Sequence, residues 1–320
     1  MTTAIAPDSH NAIALHQLRS MTPATDRPLA NWADLAAELA RWRAERRQPT
    51  MWWRDDDVEA PGRRLDRLLD LSESVAAKPL PLALAVIPAG ADPALADRLR
   101  GLRHVSVLQH GWSHANHAPE GERTIELGSH RPARAVLREL DTGRERMGRL
   151  FRGRFVPVIV PPWNRIAPTI ARALPRHDYI GLSSSGARGR QRRAGRFAVA
   201  NVHIDIFEWH PRARFAGTGP VIDQAIRHLA ARREGRVDPD EPTGFMTHHL
   251  QHDAACWRFV ERFLRQSAAH PAVRWLPASR VFAEIRVIDI HLPRRMSGWT
   301  GGSELEQFER FAIDIGQHFF

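Results

Sequence analysis

From residue 50 to about residue 286 the chain alternates short runs rich in Val and Ile with longer stretches of helical period, and few folds accommodate that rhythm. The apolar runs fall at 51–56 (MWWRDD), 81–88, 104–110, 155–162, 179–185, 197–207, 244–249 and 273–277. Stretches of helical period lie between them at 62–77, 133–151, 221–233 and 256–268. Strand followed by helix, repeated, is the pattern of a parallel sheet. Seven or eight such units predict an α/β protein built as a (β/α) barrel, with a doubly wound open sheet as the alternative. Ahead of them, residues 30–47 place Trp32, Leu35, Leu39 and Trp42 on one helical face, with Asn31 as N-cap. The expected organisation is a leader and amphipathic helix over 1–49, a barrel domain over 50–286 and a loop-like tail over 287–320.

Composition narrows the function. The chain has 320 residues, enough to bury a core without covalent staples. Its single cysteine, Cys256, excludes an intramolecular disulfide framework and a multi-cysteine zinc site. It sits in an amphipathic helical pattern and is expected to pack in the core. The net charge of +10 raises the question of nucleic acid, but Lys78 is the only lysine, and arginine is spread along the chain rather than gathered in a patch. A compositionally biased surface is the expected reading, with no nucleic-acid partner. The N-terminus has no basic start followed by an apolar core, and no stretch approaches the roughly 18 apolar residues of a membrane span. The expected location is the cytoplasm.

The unusual feature is what ends the runs. In parallel α/β proteins the chemistry sits at the C-terminal ends of the strands. The first run ends in Arg54-Asp55-Asp56-Asp57, and the third in His110, followed by Trp112, Ser113 and His114. The fourth ends in Pro161-Pro162-Trp163-Asn164-Arg165. The sixth carries His203, Asp205, Glu208, Trp209 and His210, and the seventh ends in Thr247-His248-His249, then His252. Acids, histidines and tryptophans therefore collect on one face. One Asp and two His suffice for a catalytic divalent metal with a position left for water. A second carboxylate beside it suits a general base, and a histidine across the pocket a general acid. No G-x-S-x-G, P-loop or H-E-x-x-H is present.

In this order the motifs resemble the polysaccharide deacetylase family, also called NodB-like or carbohydrate esterase family four. The aspartates match its strand-end Asp-Asp pair, and His110-Gly111-Trp112-Ser113-His114 its H-S/T-x-x-H element. Val160 to Asn164 matches R-x-P-x-G loosely, Asp205 to Trp209 is similar to D-x-x-D-W, and Met246-Thr247-His248 to the closing L-x-H. The resemblance implies a distorted (β/α)7-type barrel that removes acetyl groups from N-acetylated sugars with a divalent metal, usually zinc. It implies His110 and His114 as metal ligands. A variant of the first motif, R-x-D-D, favours Asp56 as general base and Asp57 as third ligand, with Asp55 and Asp56 as the other register. His248 is implied as general acid, with His249 its rival. Trp112, Trp163, Asn164, Arg165 and Trp209 are expected to contact a small-molecule or glycan substrate. The family's third-motif arginine is Val160 here, leaving Arg165 or Arg54 to substitute, and Glu208 replaces the second Asp of the fourth motif. These departures point to a divergent branch with a small or carrier-linked substrate. They keep open hydrolysis of another non-peptide C–N bond and a non-catalytic glycan-binding barrel.

Overall fold

The computed structural model describes residues 29–189 and 197–283; the leader ahead of residue 29 and the tail 287–320 lie outside the described residues. The elements run α1 (Trp32–Ala44), β1 (Thr50–Val58), α2 (Arg63–Ser74), β2 (Leu82–Val86), α3 (Pro93–Arg98), β3 (Val105–His110), α4 (Ala133–Leu150), β4 (Phe155–Val160), α5 (Pro168–Ala173) and β5 (Gly181–Leu182). They continue with β6 (Ala198–Val199), β7 (Ile204–Asp205), β8 (Phe207–Glu208), β9 (Arg214–Phe215), α6 (Thr218–Arg233), β10 (Thr243–Thr247), α7 (Ala254–Ala269), β11 (Arg274–Trp275) and α8 (Ala278–Val281).

The main sheet is parallel, with order β6-β5-β4-β3-β2-β1-β10-β7, and β11 pairs with the start of β1. Its two edges, β6 and β7, are joined by residues 200–203 alone. That link reaches at most about 18 Å, whereas eight strands laid flat would span roughly 34 Å. The sheet must therefore curl. The segment 198–205 is one extended stave that changes neighbours. Ala198, Ala200 and Val202 donate backbone bonds to Ile180, Leu182 and Ser184 beside β5, and His203 then donates to Gly244 on β10. Counting this stave once gives a closed ring of seven, the (β/α)7 barrel.

Period-two alternation explains the core. The inward face carries Trp52, Ala83, Ala85, Leu108, Val158, Val160, Ala200 and Met246, closed below by Ala278, Val281 and Phe282. Trp52 stands edge-on to Phe282. Small residues are needed around it: a Cβ at Gly244 would lie 2.7 Å from the Trp52 indole nitrogen and 2.4 Å from the Asn201 carbonyl oxygen. The outward face, with Trp53, Leu84, Val86 and Val107, packs on Leu65, Leu68, Leu69, Phe259 and Phe263 of the surrounding helices. Cys256 is in this layer, and burial pushes its thiol up to about 11. Leu35 and Leu39 of α1 belong to the same core, and Glu38 accepts from Arg233 of α6 at 2.8 Å. Helix α1 is thus packed into the barrel's outer core. Asn31 caps α1 as expected, in a capping box with Asp34.

His252 lies in this outer packing. Its ring is edge-on to Trp257 at 4.5 Å and 5.8 Å from Phe207, and neither nitrogen has a hydrogen-bond partner. Burial pushes the imidazole down to about 4, against the pull of Asp55. The folded chain thus refuses a proton that the unfolded chain binds near about pH 6.5. This contribution to stability is complete above that pH and is lost as the pH falls towards 4, by on the order of 3 kcal/mol at the lower limit. His252→Phe keeps the aromatic packing and takes no proton. Its unfolding free energy is expected to fall less steeply than that of the wild type between pH 6.5 and 4; parallel slopes in urea titrations would refute the assignment.

Candidate metal and catalytic site

At the C-terminal mouth of the barrel lies a cavity of about 1430 Å³ lined by Asp56, Asp57, His110, His114, Trp163, Asn164, Arg165, Trp209 and His248, among others. Strand β1 delivers the acids. Its alternation turns Trp52, Arg54 and Asp56 inward and Met51, Trp53 and Asp55 outward. A regular strand would also turn Asp57 away from Asp56. The register with β2 shifts between Asp55 and Val58, and Asp57 takes the left-handed region at φ 66. Two consecutive carboxylates therefore reach one cavity. Asp55 does not: behind the wall it accepts from Thr247 Oγ1 at 2.6 Å, from the His249 amide at 3.0 Å and pairs with the His249 ring. Burial opposes the charge on Asp55, but His249 holds its carboxyl below the usual range. Asp55 and His249 thus lie outside the cavity lining.

Asp57, His110 and His114 converge. The His110 and His114 Nε2 atoms lie 3.0 and 3.3 Å from Asp57 Oδ1. Ligand atoms around a tetrahedral zinc at 2.0–2.1 Å are about 3.3 Å apart, and two imidazoles on it have ring centres about 5 Å apart. The two rings here are 5.1 Å apart. The His110 Nδ1 is 3.0 Å from the Val160 carbonyl oxygen, which requires Nδ1–H and leaves Nε2 to face Asp57 with a proton or a cation. His114 is pushed down by its own burial and by His110, which favours the neutral, ligating form. Burial raises Asp57, but the hydrogen bond and charge of His110 outweigh it and hold the carboxyl well below the ordinary range. The donor set fits a divalent ion. A second group, His203 and His228 of the cavity wall with the buried Glu241 behind them, does not share that geometry. Its two rings stack at 3.3 Å, and His203 Nδ1 already accepts from the Gly244 amide.

Of the two arginines expected to pair with the aspartate, Arg54 is the one that reaches Asp56. It is fully buried and grips Asp56 with two parallel bonds, Nε to Oδ1 at 2.8 Å and Nη2 to Oδ2 at 2.9 Å. Its other donors reach Ser183 and Asn164 Oδ1. Arg165 instead donates to the Thr124 carbonyl and hydroxyl, at 2.7 and 2.9 Å. His248 follows β10, the strand beside β1, and places its Nε2 3.9 Å from Asp57 Oδ2. Its ring is edge-on to Trp209 at 4.7 Å, and Trp209 Nε1 donates to Asp205. Burial raises Asp205, partly offset by the charge of His248.

Backbone outliers collect here. Of six described non-glycine residues at positive φ, four line this cavity: Asp57, His114, Trp163 and Asn164. Such conformations cost on the order of 1–3 kcal/mol each and cluster at functional sites. Trp163 rests on His114 with ring centres 4.4 Å apart. Trp112 is the exception among the expected substrate contacts, because it is not among the cavity-lining residues. The loop that carries it wraps a buried carboxylate, Glu126, which accepts from the Trp112 and Ser113 amides and the Ser113 hydroxyl. Gly111 is obligatory in that wrap: its φ is 57, and a Cβ would lie 1.9 Å from Glu126 Oε2. Glu126 has no strand-end or motif signal in the sequence, and its role emerges only from this fold-back.

No family model and no curated protein matches the chain. Solved structures do match. One described as a polysaccharide deacetylase from Mycobacterium smegmatis matches at a TM-score of 0.56 and 14% identity, over 87% of this chain and 99% of that one. Another so described, from Pseudomonas aeruginosa PAO1, matches at 0.51 and 13% identity, over 73% and 89%. At such identities the likeness is one of fold. This chain shares their (β/α) barrel fold.

Proposed function

We propose that this chain is a metal-dependent hydrolase that removes the acetyl group from an N-acetylated sugar or glycan. The observation that carries the reading is the convergence of Asp57, His110 and His114 beside an Asp56 clamped by Arg54. The first three residues would hold the ion, and their donor types suit zinc. When bound, such an ion polarises a carbonyl and lowers the pKa of a water toward about 7. Asp56 is the group fixed in orientation to take the proton from the attacking water. His248, at the end of the neighbouring strand β10, gives a proton to the departing amine nitrogen. Trp163 and Trp209 flank the sugar, and Asn164 joins the substrate wall to Arg54. Arg54 supplies the contact whose loss at Val160 had favoured a non-catalytic barrel.

The test is acetate release from N-acetyl sugars by metal-loaded protein. Asp56→Asn and His248→Ala are each expected to lower kcat by about 10²–10⁴-fold, with little change in bound metal. If both variants turned over at the wild-type rate, the two roles would be wrong. Among the described residues no helix is long and apolar enough to cross a membrane.

A further inference from the structure

We propose that the substrate carries a phosphoryl group, held at the cavity rim by Arg123 and Arg165; this rests on the deacetylase reading of the site. Four arginines other than Arg54 bear on the cavity wall: Arg123, Arg165, Arg227 and Arg236. Two of them are neutralised, Arg227 by Asp223 at 3.0 Å and Arg236 by Glu234 at 2.7 Å. The other two have no carboxylate partner among the described residues. Arg165 is anchored through Nη1 alone to uncharged acceptors on Thr124, which leaves Nε and Nη2 free. Arg123 is exposed and bonds to nothing described. Arg165 bonds to Thr124, the residue after Arg123, and all three line the same cavity, so the two arginines rise from one part of the rim.

Most carboxylates of the same wall are already engaged. Asp56 is held by Arg54, Asp57 by the histidines, Asp205 by Trp209 and the Phe207 amide, and Glu208 by Arg214. Glu122 faces His130 at 3.7 Å. Two adjacent, uncompensated guanidiniums repel each other, and a multiply charged anion between them relieves that. Phosphate suits a pair of planar forks better than any neutral sugar substituent does. Arg165 directly follows Asn164, which bonds to Arg54 on Asp56, so the anion would share a cavity wall with Asp56. The cavity, about 1430 Å³, exceeds the roughly 300–1,000 Å³ of ordinary small-molecule pockets. That leaves room for more than one acetamido sugar.

Calorimetric titration of the metal-loaded protein tests this apart from turnover. N-acetylglucosamine 1-phosphate is expected to bind at least about tenfold more tightly than N-acetylglucosamine. Arg123→Gln should erase most of that preference, with its thermal midpoint unchanged as a check on folding. Equal affinity for the two sugars, no binding of either, or a preference that survives Arg123→Gln would overturn the proposal. So would N-acetylmuramic acid binding as tightly as the phosphate, because a carboxylate would then suffice. UDP-N-acetylglucosamine and a short prenyl phosphosugar distinguish a nucleotide from a lipid source, and either exceeding the neutral sugar supports the site. A phosphate preference without acetate release from any substrate leaves this proposal standing and refutes the deacetylase reading. Acetate release with no such preference does the reverse.

Discussion

Arg54→Met is expected to destabilise the fold by about 3–5 kcal/mol, the cost of leaving one partner of a buried pair without its counter-charge, and to remove activity with it. Arg54 and Asp56 are both essentially without solvent contact, and their bond is bidentate. Methionine fills the channel beside Met246 but leaves Asp56 without its counter-charge. It also strips the bond that holds Asn164 in its left-handed conformation against the strand. Arg54→Lys keeps a charge and loses the fork, so an intermediate loss is expected. Arg54→Met/Asp56→Leu removes the orphan along with its partner and should recover part of the stability. Urea titration reads all three. A loss below about 1 kcal/mol for Arg54→Met would place this pair with exposed, weak ion pairs and contradict its burial.

The second large effect concerns the metal. Wild-type protein purified without chelator is expected to carry close to one divalent ion per chain, and His114→Ala to carry almost none. Three donor atoms converge on one point, and losing one of them opens the set. Added zinc should raise the unfolding free energy of the wild type by about 2.7 kcal/mol at a hundredfold excess over Kd and leave His114→Ala unmoved. His203→Ala is the control. Its ring stacks on His228 and is engaged at Nδ1 by Gly244, so metal uptake should not change. Wild type that stays empty after reconstitution would end the metal reading. Loss of uptake in His203→Ala would show that the stacked pair, not the Asp57 group, binds the ion.

Much of the barrel is legible because its strands are buried on both faces. Runs such as 81–88 and 104–110 are apolar throughout, and each is followed by a stretch of helical period, so element type and parallel pairing follow from local pattern. The six-residue helices α3 and α5 are too short to show a period and escape notice. The run 197–207 reads as one strand, and physically its first half is one stave. What the pattern cannot show is that this stave pairs with β5 at its start and with β10 at its end, which is the act of closure. Closure depends on partners about 20 and 40 residues away.

The site divides the same way. Sequence alone determined that acids, histidines and tryptophans gather at the strand ends, since strand direction and chain order suffice for that. It left three aspartates and two adjacent histidines undistinguished, because alternation predicts opposite faces but not which face is the cavity. Only the tertiary structure decided those: the shift before Val58 and the left-handed Asp57 bring two neighbouring carboxylates inward, while Thr247 and His249 draw Asp55 outward. Tertiary structure also set Arg54, and not Arg165, against Asp56 and built the His110–His114 loop around Glu126. Those are contacts between residues up to 194 positions apart, and their energies depend on burial, which no local pattern encodes.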